Sequence, residues 1–384
     1  MSAQNARRRT GARDPRYVLA FRILFAVLLV IAIIIPFTNP PYFVGNVTRI
    51  FIATLPVLGM SLLTGFGGLT SIGHNALFGV GAYTTAILAS DAGWPWWLTM
   101  PFSILTVFLT GVVVGTPSSR IKGLFLAIVT MALGAMFPAI IHRLEFITGG
   151  NMGKKIDRLR APEWSGMMSD QWSYLVCLVV LLACMLALYN LTHGRFGRAL
   201  MSIRDQETAA VAMGVRVART KVLAFGVSAV FAGLGGSLFV LTQGIISSEN
   251  LYVTLTGSIQ FLAAMLIGGA SSVLGPLIGT VLAERLPPLL SGIDPVLAHV
   301  LYGVLLIVVI LAFKDGIAGA CGRLMLRLLK QRDAKKAGAL PPEARTATPS
   351  PQAGPVAPSD AASPQNPEPD ITPGSPILPM NTPQ

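Results

Sequence analysis

The chain alternates between apolar runs and short polar links, and that alternation limits the folds open to it. A bilayer core is about 30 Å thick, and a helix crossing it needs about 20 mostly apolar residues. Runs of roughly that length occupy 17–36, 49–64, 72–90, 96–116, 123–142, 173–191, 222–242 and 297–313. A longer run, 256–283, is interrupted by Gly268, Gly269, Gly275 and Pro276. Two short helices or a re-entrant hairpin suit it better than one span, because broken backbone at membrane depth is tolerated where protein or a cavity covers it. The expected fold is an all-α polytopic membrane protein of about ten transmembrane or half-membrane helices, some broken at glycine-rich segments.

Composition agrees. Only 12% of the 384 residues are charged and 53% are hydrophobic, against about 25% charged in an ordinary soluble domain. This excludes an ordinary soluble enzyme and a wholly disordered chain. The net charge of +12 is not a nucleic-acid footprint, since the basic residues sit at span ends and in tails. Of 29 Lys and Arg, 20 lie in three places: six in the arm through Arg22, six in the link 193–221 and eight after Phe313. The links 91–95 and 243–255 have none. Basic segments face the cytoplasm, which predicts both termini inside, with Trp94, Trp96 and Trp97 anchoring the outer interface. The loop 143–172 fits less well: it falls outside, yet carries five basic against four acidic residues. The first run follows Arg7, Arg8, Arg9, Arg13 and Arg16 like a signal peptide. No small-residue cleavage site follows, so it reads as a retained anchor. The organisation expected is a basic cytoplasmic arm at 1–16, a membrane domain at 17–319, a basic cytoplasmic segment at 320–336 and a Pro-rich tail at 337–384. The tail holds 13 of the 27 prolines and has the composition of disorder.

Three small-residue blocks stand out. In 65–90, glycines occur at Gly65, Gly67, Gly68, Gly73, Gly79 and Gly81, with Ser71 and His74 among them. Small residues allow close helix packing, and glycine also permits an unwound turn that exposes carbonyls to a pathway. Both readings stay open for Gly65–His74, and His74 could line a path or be hydrogen-bonded at a helix end. In 229–237, the pairs Ala229/Gly233 and Ala232/Gly236 make a smooth strip. The third block, 266–280, holds Gly268, Gly269 and Gly275.

No Asp, Glu, Lys or Arg lies in the interior of these runs, Arg22 and Arg49 standing at or near the starts of theirs, which argues against an autonomous proton relay and points to energy supplied from outside the membrane. The nearest approach to a P-loop, Gly149-Gly150-Asn151-Met152-Gly153-Lys154-Lys155, has the wrong spacing and lacks the Ser or Thr. No HExxH, CxxC or GxSxG motif occurs. Cys177 and Cys184 share one helix face as small hydrophobes, Cys321 stands apart, and the four histidines are scattered, so no metal site or disulfide framework is expected.

The link 193–221 carries Gly194 and Gly197 as breakers, a helix-compatible run 199–213 and Gly214 as a stop. Leu200, Ile203, Ala210 and Met213 fall on one face. Such a helix can lie on the lipid surface or dock into a groove on a partner.

Four blocks now carry a specific resemblance. "GRALMSIRDQETAAVAMGVRVARTKVLAFGVSAVFAGLGGSLF" resembles the cytoplasmic loop and following span of branched-chain amino acid ABC transporter permeases, most closely the M-type subunit. "GLTSIGHNALFGVGAYTTAIL", "MLIGGASSVLGPLIGTVL" and "FKDGIAG" resemble that family's first glycine-rich block, late block and C-terminal close, in family order. The resemblance implies a non-catalytic permease subunit in the bacterial inner membrane. It would pair with an H-type permease, two ATP-binding subunits that hold ATP and magnesium, and an extracytoplasmic solute-binding protein. It also implies that Arg198, Arg204, Asp205, Ala209, Met213 and Gly214 belong to a coupling helix. One departure is "TGGNMG" at 148–153, where the family often has a "TGGSDG"-like loop. Relatives of the family carry urea, short amides or aromatic compounds, so the solute stays open. The other reading is a stand-alone carrier or channel for a small polar solute, which would need no ATPase dock.

Overall fold

The computed structural model describes residues 30–121 and 123–290, with 303, 316, 317 and 319 besides. The chain divides into two units, Met1–Leu328 and Leu329–Gln384, and the described residues belong to the first. The basic arm 1–16, most of the runs 17–36 and 297–313, the segment 320–336 and the tail 337–384 lie outside the described residues.

Helix α1, Pro41–Met60, starts on a proline after an extended Pro40, a position where the missing N–H costs nothing. Every residue from Ile50 to Met60 is buried, so the second half of α1 is central and apolar on all sides. It runs on into a π-helical turn, Ser61–Phe66. An extended stretch then leads to α2, His74–Ser90, and α3, Trp96–Ser118, follows. Next come α4, Leu124–Arg143, and a single turn, α5, Glu145–Thr148. Helix α6, Ser169–His193, passes directly into two short helices, α7, Arg195–Asp205, and α8, Glu207–Ala212. The long α9, Val217–Gln243, precedes α10, Leu255–Gly268, and α11, Gly275–Leu290. A two-residue antiparallel ribbon pairs β1, Lys154–Lys155, with β2, Ile245–Ile246.

Among the described residues, five helices are long and apolar enough to cross a membrane: Pro41–Phe66, Trp96–Ser118, Phe125–Arg143, Ser169–His193 and Val217–Gln243. This is a mostly helical, multi-pass membrane protein. The 14 residues of α10 reach only about 21 Å, short of the hydrocarbon thickness. The turn between α10 and α11 begins at Gly269 (φ +103°), so the long apolar run folds into a hairpin of short helices.

Helix α9 is the hub against which α1, α2 and α3 pack. Between apolar helices in lipid, close backbone approach rather than water exclusion drives association, and the glycines supply it. A Cβ at Gly236 would strike the Phe78 carbonyl, and one at Gly81 would strike the Gly233 backbone. Gly111 rests on Ala229, Gly115 on Phe225 and Gly59 on Ser228. The strip of small residues therefore touches both α2 and α3. Cys177 and Cys184 both face the core.

Three sequence expectations need correction. The run 199–213 is not one helix: Gln206 is extended (φ −160°, ψ 106°) and separates α7 from α8. Gly197 is not a breaker but lies inside α7, buried against the Thr192 backbone. The helices also extend past the apolar runs, and charged side chains enter with them, Arg49 inside α1 among them. Lys221 is buried in α9, and Glu284 lies in α11.

Candidate functional site

The site grows from the join of α6 to α7. Gly194 closes α6 by donating its N–H to the Asn190 carbonyl (3.0 Å), and its own carbonyl accepts from Arg198 N (3.3 Å). The two helices therefore meet with a single residue between them. In α7, Gly197, Leu200 and Ile203 are buried, while Arg195, Arg198, Arg204 and Asp205 are exposed. The three-residue spacing makes one face apolar. Leu200 fills the space beside Gly67.

Arg204, at the end of α7, reaches back into the bundle. Its guanidinium donates to the Gly65 carbonyl and to Ser271 Oγ (3.2 Å), and Ser271 Oγ donates to the same Gly65 carbonyl (3.3 Å). Carbonyls in the last turn of a helix lack an intrahelical partner and carry the negative end of its dipole, so a cation there is favourable. Gly68 (φ +65°) lies against the aliphatic stem of Arg204, and Gly65 packs on the Ala270 backbone. One side chain thus joins three breaks in the helical pattern: the π turn after α1, the α10–α11 turn and the end of α7.

The second short helix has its own tie. Lys221 Nζ of α9 meets Glu207 Oε1 of α8 at 3.1 Å, with the lysine side chain only 3% exposed. Helix α8 closes in a Schellman motif, with Val215 N donating to Ala210 O (3.0 Å) and Gly214 N to Val211 O (2.9 Å). Gly214 sits at φ +81°, which explains why a glycine stands there.

The expected site residues fall into separate groups. Gly65, Gly67 and Gly68 meet Arg204, and so does the turn flanked by Gly268, Gly269 and Gly275. Gly268 packs on Gly275, and Gly316 of the C-terminal block packs on Gly269. Ser71, Gly73 and His74 lie elsewhere, between α1, α4 and α9. His74 is fully buried at the start of α2; its Nε2 pairs with Ser228 Oγ (2.8 Å) and its Nδ1 faces Ser71 Oγ (3.4 Å). Gly73 packs on the Thr130 carbonyl. Gly233 and Gly236 belong to the α9 packing interface. Arg198 donates to the His193 carbonyl (3.1 Å). Asp205 and Met213 are exposed and Ala209 is half-buried.

Sequence reasoning missed Ser271, the Lys221–Glu207 pair and Asn75. Asn75 is fully buried. It donates to the carbonyls of Gly134 and Val253 (both 2.8 Å) and accepts from Ser258 Oγ (2.8 Å). It pins α2 to α4 and α10. Its place beside His74 in the first glycine-rich block was the available signal.

At the opposite end of α9, Lys154 pairs with Asp91 (2.6 Å) and Arg158 Nε donates to the Gln243 carbonyl (3.1 Å). The hydrogen bond from Lys154, aided by Ser90, holds the Asp91 carboxyl below its usual range. Among the described residues, no group of three or more His, Cys, Asp or Glu could hold a metal ion.

A family model described as branched-chain amino acid transport system / permease component matches residues 42–310. The chain belongs to that family. The matched stretch of this family member runs from the first turn of α1 through the α7–α8 pair and the α10–α11 hairpin. The chain is similar to the high-affinity branched-chain amino acid transport system permease protein LivM of Salmonella typhimurium, 29% identical over 286 residues. It is 28% identical to LivM of Escherichia coli over the same length. Each match covers 68% of this chain, which spans 66% of the length of each LivM protein. It is also similar to the fructose import permease protein FruG of Bifidobacterium longum, 26% identical over 66% of this chain and 75% of FruG. No solved structure matches the chain.

Proposed function

We propose that the chain is an M-type transmembrane permease subunit of an ABC importer, with no catalysis of its own. It would form part of the pathway for branched-chain amino acids or related small solutes in a bacterial inner membrane. Two separate ATP-binding subunits, holding ATP and magnesium, supply the energy. An H-type permease completes the pathway and an extracytoplasmic solute-binding protein delivers the solute. In this reading about ten helices cross or enter the bilayer and both termini are cytoplasmic. The α7–α8 pair then faces the cytoplasm and the β1–β2 ribbon faces outside.

The observation that carries this reading is the Arg204 junction. A stand-alone carrier needs no short helix pair tied to its spans by one charged side chain each. Here α7 is tied through Arg204 to the end of α1 and to the α10–α11 turn, and α8 is tied through Glu207 to α9. A push on the pair from a closing ATPase would therefore reach three membrane elements together. Arg198, Asp205 and Met213 are exposed and would meet the ATPase, while Ala209 and Gly214 set the shape of α8.

The test uses the assembled complex in proteoliposomes. Arg204→Gln and Asp205→Asn should each leave membrane insertion intact and separate ATP hydrolysis from uptake. Unchanged coupling in both variants would sink the assignment.

A further inference from the structure

A second polar site lies at the ribbon end. Helix α1 carries Arg49 eight residues past its start, about 12 Å along the helix. An ionisable side chain at that depth in a membrane span normally has a partner or lines a cavity. Among the described residues the ion pairs are Lys154–Asp91, Arg160–Asp157 and Lys221–Glu207, and Arg49 belongs to none. It lines a cavity of 230 Å³ instead, with Asn46 of the same helix, Asp170 and Ser173 of α6, Thr242 of α9 and Arg158 of the intervening loop.

The cavity is small, below the roughly 300–1,000 Å³ of drug-sized ligand sites, so it fits one small solute. Its lining holds both signs of charge. Asp170 sits in the first turn of α6, and Arg158 is held in place by its bond to the Gln243 carbonyl. Arg49 also meets the charge of Glu284 of α11, at longer range than a direct ion pair, and Glu284 Oε1 accepts from Tyr252 Oη (2.8 Å) and Gln260 Nε2 (3.1 Å). Glu284 is not part of the cavity lining, whereas Arg49 and Asp170 line it from different helices.

We propose that this cavity binds a zwitterionic α-amino acid, its carboxylate on Arg49 and its ammonium on Asp170. The choice of an amino acid rests on the importer reading above. The geometric content does not: two opposite charges on α1 and α6 face one solute-sized space, and Ser173, Asn46 and Thr242 supply neutral hydrogen-bonding groups around it.

The test is equilibrium binding of labelled L-leucine to the full chain in lipid nanodiscs. Competitors are L-leucinamide, which lacks the carboxylate, and 4-methylpentanoate, which lacks the ammonium. A site built around both groups should reject either analogue by about tenfold or more. In R49Q, leucine affinity should fall to the level of leucinamide, with leucinamide itself unaffected. In D170N it should fall to the level of 4-methylpentanoate, again with that analogue unaffected. R49K should restore part of the preference. Failure of the wild-type chain to bind leucine, or equal losses for all three probes in R49Q, would overturn the site; the latter would mean that Arg49 meets a partner's carboxylate or only supports packing. ATP-dependent uptake by the assembled complex separates the two readings. Charge-selective binding without uptake keeps the site and removes the importer reading. Uptake with unchanged probe preference in both variants does the reverse.

Discussion

Lys221 is a buried cation whose stability rests on Glu207. The two residues are not equivalent, because the lysine is 3% exposed and the glutamate 27%. Glu207→Gln strands an ammonium in the interior, and breaking a buried pair that way costs about 3 kcal/mol. Lys221→Met removes the buried charge itself and leaves a carboxylate that can turn to water, for about 1 kcal/mol. Thermal unfolding in detergent should rank Glu207→Gln well below Lys221→Met; the reverse order would mean the pair does not hold α8. Of the polar residues singled out in the sequence, His74 emerges as a hydrogen-bonded helix start, one of the two roles its position allowed. Asn75 was invisible because its three partners come from residues 59, 178 and 183 positions away. A neutral amide inside an apolar run has no local signature.

Among elements, the α9–α2 contact depends most on small residues. Gly236→Val would place a branched side chain on the Phe78 carbonyl. Backbone cannot move aside as a side-chain tip can, so overpacking here should cost about 1–3 kcal/mol. A lowered melting temperature together with unchanged membrane insertion is the expected result. An unaltered melting temperature would show that α2 can slide away from α9. Within the described residues the apolar runs located the long helices, since hydropathy is a property of consecutive residues. The two helices α7 and α8 were read as one because Gln206 is no helix breaker. Two tertiary ties end α7 and begin α8 at that point: Arg204 is held on Gly65 and Ser271, and Glu207 on Lys221. The π turn at Ser61–Phe66 was equally hidden, since its composition, SLLTGF, differs little from an ordinary helix end.

At the scale of the whole molecule, the loop 143–172 is explained by what its basic residues do. Lys154 pairs with Asp91, its strand pairs with β2, and Arg158 holds the end of α9. These charges staple one end of the bundle and so weaken as a marker of sidedness. The staple should depend on pH. The folded-state pKa of Asp91 lies below its ordinary value of 3.8, so its contribution is complete above that value and is lost as pH falls through the lower, folded pKa. Amide exchange in residues 145–155, corrected for the intrinsic effect of pH, should therefore rise on acidification in the wild type. Asp91→Asn should exchange faster already at pH 7 and respond less to acid. Equal protection in the two proteins at pH 7 would refute the staple.

The apolar runs, the glycine breaks within them and the clustering of basic residues in three segments are local properties, and they were enough to specify a helical, multi-pass chain; the family was legible separately, in the resemblance of four sequence blocks. The tertiary structure decided which carbonyl Arg204 meets, where the α6–α9 link breaks, which helix faces the small residues serve, and that Arg49 lines a cavity with Asp170. Each of these joins residues far apart in the chain; Arg204 and Gly65 are 139 positions apart. Hydropathy records what a segment prefers as its surroundings, whereas a hydrogen bond or a shared cavity requires two particular segments to arrive at one place.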